Sequence, residues 1–261
     1  MPSLTIAAAQ LSSGTDPAAN LELVIDAVSA AAARGARLVV TPEATMACFG
    51  SDLRAVAEPL DGPWADAVRA AAREHDITAV VGMFEPAPDG RVYNTLLVAP
   101  ASGTPLDGPA SYRKIHLFDA FGSRESAMVA PGDDLVQIPV DGVSVGLAVC
   151  YDVRFADQFS ALGRAGAELI ILPASWGDGP GKAEQWDLLT RARAADAQAW
   201  LLACDQAWTP PRRSAPLGIG RSALIDPTGA VRSRLGSDVG LLIADIDTET
   251  VREVRERVPI L

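Results

Sequence analysis

Three side chains able to run acyl-transfer chemistry stand at or near the ends of apolar, strand-like runs. Glu43 follows Leu38-Val39-Val40-Thr41-Pro42, Lys114 lies in Tyr112-Arg113-Lys114-Ile115-His116-Leu117-Phe118, and Cys150 follows Val145-Gly146-Leu147-Ala148-Val149. Sulfur attacks an amide carbonyl as thiolate, and a free thiol with a pKa of ~8.5 is mostly protonated at neutral pH. A carboxylate held close can take that proton, and an ammonium can face the oxyanion that the attack creates. The backbone N–H of Tyr151 offers a second donor to the same oxygen. Expulsion of ammonia leaves a thioester, which water activated by the carboxylate would open. Lysine at 114 is itself informative: of 22 basic residues only Lys114 and Lys182 are lysines. A wide guanidinium substitutes poorly for an ammonium in a tight site.

Composition removes the competing chemistries. His75 and His116 are the only imidazoles, which excludes a multi-histidine metal site and leaves a Ser-His or Cys-His mechanism two candidates. Cys48, Cys150 and Cys204 are odd in number and form no CxxC pair, so neither a disulfide framework nor a zinc ribbon is expected. They point to a reducing, cytoplasmic setting. A formal charge of -11 argues against nucleic acid or an anionic membrane as partner, since both want a basic footprint. The opening residues lack a basic n-region and read at once as a strand, so no signal peptide is expected. No apolar run approaches the roughly 20 residues that span a bilayer.

Two motif matches do not survive inspection. Ser111-Tyr112-Arg113-Lys114 fits a Ser-x-x-Lys pattern, but that motif needs a helix and this segment alternates like a strand. Gly177 to Lys182 superficially resembles a phosphate loop, yet the first glycine would fall at Trp176 and Ala183 replaces the magnesium-binding hydroxyl.

The reactive residues need a scaffold, and the pattern along the chain supplies one. Strand-length apolar runs recur between amphipathic stretches, the rhythm of sheets covered by helices. Strands are expected at Leu4 to Gln10, Arg37 to Thr41, Ile77 to Phe84, Val92 to Ala99, Ser111 to Leu117, Val143 to Cys150, Leu169 to Pro173 and Trp200 to Cys204. Short strands follow near Ser222 to Ile225, Ala230 to Arg234 and Gly240 to Asp245. Helices are expected at Asn20 to Arg34, Pro63 to Glu74, about Arg154 to Ala165, and Ala183 to Ala197. The Pro- and Gly-rich stretch 100–109 reads as a connector, and 118–134 as a long loop of the kind that is more often functional than accidental. No low-complexity linker divides the chain, so a single mixed α/β domain over residues 1–261 is expected. The tight turn after Cys150 into the next helix would aim a positive helix end at the sulfur and favour thiolate.

Pro42-Glu43-Ala44, Arg113 to Asp119 and Gly146 to Phe155 resemble the three signature blocks of the carbon-nitrogen hydrolase (nitrilase) superfamily, particularly its Nit-type amidase branch. The resemblance continues through Leu172-Pro173-Ala174-Ser175-Trp176 and Gln185-Trp186 to Arg191-Ala192-Arg193-Ala194, so it spans nearly the whole chain. It implies an αββα four-layer sandwich, commonly dimerised through helices, and a homodimer or higher homo-oligomer. It implies Glu43 as general base, Lys114 as stabiliser of the tetrahedral intermediate and Cys150 as nucleophile, with no cofactor. Glu125 matches a second glutamate that orients the lysine and substrate in such enzymes.

The expected activity is thiol-dependent hydrolysis of a small linear amide, with a dicarboxylic acid monoamide preferred. Nitrile hydrolysis and N-carbamoyl cleavage use the same three residues, and a non-catalytic binding protein of the same fold and a redox-sensing thiol remain alternatives. Trp176 is read either as a wall of the substrate pocket or as core packing, Glu125 alternatively as a solvated loop charge. His116 is read as a hydrogen-bonding residue behind Lys114, His75 as exposed at a helix end, and Cys48 and Cys204 as packing residues.

Overall fold

The computed structural model describes residues 3–104, 111–210 and 218–261. Residues 105–109 of the expected connector lie outside them. The first half of the chain runs β1 (Ser3–Gln10), α1 (Pro17–Ala32), β2 (Leu38–Val40), α2 (Leu53–Val56), α3 (Pro63–Glu74), β3 (Thr78–Pro86), β4 (Val92–Ala99), β5 (Ser111–Arg113) and β6 (Val129–Ala130). The second half runs β7 (Gln137–Val140), β8 (Val143–Leu147), α4 (Ala156–Arg164), β9 (Leu169–Ala174), α5 (Lys182–Ala197), β10 (Trp200–Asp205), β11 (Ala223–Ile225), β12 (Val231–Arg234), β13 (Gly240–Asp247) and α6 (Glu249–Arg257).

The strands form two sheets, ordered β13-β1-β2-β3-β4-β5 with β6 beside β4, and β12-β11-β10-β9-β8-β7. Period-2 alternation in the first sheet divides its side chains between two cores. Ile6, Ala8, Leu38, Val40, Val80, Leu96 and Val98 face the second sheet, where they meet Val145, Leu147, Ile171 and Leu202. Their neighbours Ala7, Ala9, Val39, Ala79, Val81 and Leu97 face Val24 and Val28 of α1 and Val68 of α3. Phe159 and Leu162 of α4 and Trp186 of α5 cover the second sheet. The architecture is therefore the expected αββα four-layer sandwich. Among the described residues no helix is long and apolar enough to cross a membrane.

Strand direction brings the chemistry to one edge. β1, β2 and β3 are parallel, as are β8, β9 and β10. β4 pairs antiparallel with β3, and β5 antiparallel with β4, so β5 runs with β3. Glu43, Lys114, Cys150 and Ser175 all follow carboxyl ends of strands, where open α/β sheets assemble sites.

Several local expectations are corrected. The strand from Ser111 stops at Arg113 rather than Leu117, because the chain turns at Lys114, whose carbonyl accepts from Gly132 N–H at 2.8 Å. A Cβ on Gly132 would stand 2.8 Å from Cβ of Arg113, so glycine allows this approach. The strand at 143 ends at Leu147, and Cys150–Arg154 forms a 3₁₀ turn ahead of α4, which starts at Ala156. The 118–134 loop contains a 3₁₀ turn at Glu125–Ala127 and the short β6. Three further elements escape hydrophobic periodicity: the four-residue α2, the edge strand β7, tolerant of Pro139, and α6, whose only buried residue is Val251.

Candidate active site

The loop after β2 places Glu43 by pressing its backbone onto β3. A Cβ on Gly82 would lie 2.5 Å from the Pro42 carbonyl and 2.8 Å from the Ala44 nitrogen, so only glycine admits the loop at this depth. The Glu43 carboxylate is 1 % exposed and fully engaged. Its Oε1 accepts from Asn94 Nδ2 at 2.7 Å and Lys114 Nζ at 2.9 Å, and its Oε2 from Ser175 N–H at 2.9 Å.

Lys114, 2 % exposed, is held from two sides. Besides Glu43, its Nζ lies 2.9 Å from Glu125 Oε2 and 3.1 Å from Glu125 Oε1. Burial alone would discharge the amine, but Glu43 and Glu125 outweigh it and hold its pKa well above the usual lysine value. Glu125 is not a solvated loop charge. It also accepts from Phe118 N–H at 2.6 Å and Asn94 Nδ2 at 3.3 Å. These neutral donors satisfy carboxylate oxygens that the one shared ammonium cannot fill alone.

Cys150 sits beside this cluster with a left-handed backbone, φ +46°, an unfavourable conformation for a residue with a Cβ. Asp152 pins the turn. It is fully buried, accepts from Val149 N–H at 2.8 Å, Tyr112 Oη at 2.6 Å and His116 N–H at 3.0 Å, and pairs with His116 Nδ1 at 2.9 Å. The His116 ring also stacks on Phe155 with centroids 3.5 Å apart. His116 thus makes its hydrogen bonds to the turn of Cys150 rather than behind Lys114.

The surroundings of the thiol do not favour the thiolate expected from the sequence. Burial raises the Cys150 pKa well above the ordinary cysteine value, and the Glu43 charge adds to the rise. Lys114 and the Ser175 N–H oppose it without prevailing. No α-helix starts at the sulfur to change the balance. Glu43 lies close enough for its charge to act on the sulfur, so a proton acceptor stands beside the nucleophile in the same cavity.

Glu43, Lys114, Cys150 and Glu125 line the floor of a cavity of about 660 Å³, a size suited to a small ligand. Phe49, Leu53, Phe118, Met128, Val129 and Trp176 make apolar walls, and Phe121, Arg124 and Lys182 stand at its mouth. Tyr151 lines the cavity and meets Phe118 edge-on at 5.1 Å. Trp176 fulfils both readings: it lines the cavity and tilts against Trp186 at 5.4 Å. Its backbone N–H donates to the buried Asp205 at 2.7 Å. Cys48 and Cys204 are buried away from the floor, and half-buried His75 caps α3.

Sequence reasoning missed Asn94, which bridges both glutamates, and Asp152, which holds the nucleophile turn. A lone asparagine inside the apolar run Val92–Ala99 was the available signal, and so was a carboxylate two residues after the cysteine.

A model of the family described as carbon-nitrogen hydrolase matches residues 5–256. A Mycobacterium tuberculosis protein described as a hydrolase is 52% identical, over 99% of this chain and 94% of its own length. A deaminated glutathione amidase of Escherichia coli is 33% identical, covering 93% of this chain and 90% of the relative. An omega-amidase of Xenopus tropicalis is 31% identical, covering 92% and 87%. Among solved structures, Saccharomyces cerevisiae Nit3, a member of branch 10 of the nitrilase superfamily, superposes with a TM-score of 0.86 at 27% identity, covering 99% of this chain and 95% of Nit3. By the family match, the relatives and the four-layer sandwich together, the chain belongs to the carbon-nitrogen hydrolase family, in the Nit-type amidase branch of the nitrilase superfamily.

Proposed function

We propose that this protein hydrolyses a small linear amide to the acid and ammonia through a thioester on Cys150, residues 1–261 acting as one catalytic domain. The observation that carries the reading is the meeting of a raised-pKa thiol, a hydrogen-bonded carboxylate and a buried ammonium on the floor of one cavity. Cys150 gives its proton to Glu43 as the C–S bond forms and the carbonyl electron pair moves onto oxygen. Lys114 and the Tyr151 N–H face that oxygen, while Glu125 keeps Lys114 charged and oriented. Glu43 passes the proton to the departing nitrogen, ammonia leaves and the thioester remains. Glu43 then takes a proton from water as it attacks, and the acid departs with the proton returned to sulfur.

Preorganisation favours this sequence: the charge that appears on oxygen meets a cation already in place. The relatives described as an omega-amidase and a deaminated glutathione amidase favour an amide over a nitrile or carbamoyl group, and a substrate that also carries a carboxylate. Homodimer assembly belongs to the same proposal; Leu188 on α5 is 67% exposed, as a helix face awaiting a second copy would be. Sedimentation at micromolar concentration should give twice the chain mass.

The activity test is ammonia release over short amides, ureas and nitriles. The wild-type protein should act on amides and Cys150→Ala should not. Release confined to ureas or nitriles would replace the reading, and undiminished release by Cys150→Ala would overturn it.

A further inference from the structure

The chain has two lysines among 22 basic residues, and both line the same cavity. Lys114 is consumed by two carboxylates. Lys182 is placed where a positive charge is hard to keep. It is the first residue of α5, at the helix end whose dipole disfavours a cation. Burial and the neighbouring Arg154 both push its pKa down.

No acidic side chain among the described residues relieves this. Lys182 makes no ion pair, although Asp178 lines the same cavity and Glu184 lies in the first turn of α5. Asp178 instead accepts from the Trp208 indole N–H at 3.1 Å. The ammonium lies over three aromatic faces, Trp176 at 5.0 Å, Phe121 at 5.2 Å and Phe118 at 5.5 Å. Such faces hold a cation in position without giving it an oxygen acceptor. Arg154 does not line the cavity; its guanidinium donates to Gln185 Oε1 at 2.7 Å and stacks over Trp176. Arg124 is exposed at the rim. The cation of the cavity lining left to meet a ligand is therefore Lys182.

We propose that Lys182 is the residue that binds a carboxylate at the far end of the substrate, so that the preferred substrates are amides whose apolar chain ends in an anion. The assignment rests on the amidase reading of the same cavity and adds to it the group that selects among amides. A carboxylate supplies what the aromatic rings cannot, an oxygen for the ammonium donors, and the α5 N–H groups, which no side chain caps, add a field of the same sign. Lysine suits this place in a chain otherwise rich in arginine because three rotatable donors on a compact head fit among the rings.

The test compares glutaramate, the monoamide of a five-carbon diacid, with neutral valeramide in ammonia release by wild-type, Lys182→Gln, Lys182→Arg and Arg124→Gln proteins. Equal alkylation of Cys150 by iodoacetamide would certify that each variant keeps its site. In Lys182→Gln the ratio of kcat/KM for glutaramate over valeramide should fall about ten- to a hundredfold, mainly through the KM of glutaramate. Lys182→Arg should restore part of it, and Arg124→Gln should hold the ratio within about threefold of wild type. If Lys182→Gln lowers both substrates in proportion, or neither, or if Arg124→Gln collapses the ratio instead, the assignment of Lys182 is overturned while the amidase reading stands. If the wild-type protein releases ammonia from no amide, the amidase reading fails and the assignment with it.

Discussion

Lys114 and Lys182 line one cavity, yet Lys114 is gripped by two carboxylates at 2.9 Å while Lys182 rests on three ring faces 5.0 to 5.5 Å away. Their pKa values move in opposite directions, up at Lys114 and down at Lys182. At the floor the protein supplies the counter-charge itself, so the cation is fixed before a substrate arrives. At the mouth no acidic side chain among the described residues pairs with the cation, so it gains most when a ligand brings a counter-charge. A buried charge satisfied internally serves preorganised chemistry, and a half-buried charge left wanting serves recognition.

The same substitution at the two lysines breaks the comparison most forcefully. Lys114→Met leaves Glu43 and Glu125 facing each other without a cation. Ammonia release should fall at least about 10³-fold, and unfolding in urea should show a loss of about 3–5 kcal/mol. Lys182→Met removes a strained charge but keeps the stem packed on the rings, so its Tm should stay at or slightly above wild type by calorimetry. A stability loss at Lys182 equal to that at Lys114 would erase the distinction.

Glu43→Gln separates proton transfer from thiol acidity. Hydrolysis should drop about 10²- to 10⁴-fold for want of the general base. Because the Glu43 charge raises the Cys150 pKa, its removal lowers that pKa and increases thiolate at neutral pH. Iodoacetamide should therefore alkylate Cys150 faster in the variant at pH 7 even as turnover is lost. In the wild-type protein the alkylation rate should still be climbing above the pH at which an ordinary thiol levels off. A smaller effect is expected behind the nucleophile. Asp152→Asn puts a donor where the carboxylate accepts from Val149, Tyr112 and His116, and should cost about 1–3 kcal/mol of stability with roughly tenfold lower activity.

The floor was more legible in the sequence than the mouth, for a physical reason. Glu43 and Cys150 follow apolar runs whose continuity marks buried strands, Lys114 lies within a strand-like segment, and strand ends in such sheets are brought together by topology. Asn94 gave a weaker sign, since a single polar residue in Val92–Ala99 does not reveal that both glutamates converge on its amide. Lys182 stands out in the sequence only as the second of two lysines and inside a rejected phosphate-loop match, because nothing local shows that the start of α5 folds over Phe118 and Phe121, some sixty residues earlier in the chain. The acidity of Cys150 was misjudged at the sequence level because the turn after it was read as a helix start. The 3₁₀ turn supplies no α-helix start at the sulfur, and burial raises the thiol pKa. The edge strand β7 and the highly charged α6 bury too few apolar side chains for periodicity to announce them.

The thioester on Cys150 is the central claim, and intact-mass spectrometry of protein quenched in acid within milliseconds of mixing with glutaramate measures it directly. A mass increase equal to the acyl group, mapped by proteolysis to the peptide containing Cys150 and absent from Cys150→Ala, is the predicted result. Steady ammonia release with no adduct on Cys150, in a protein whose deacylation has been slowed by lowering the temperature, or an adduct on Cys48 or Cys204 instead, would contradict it.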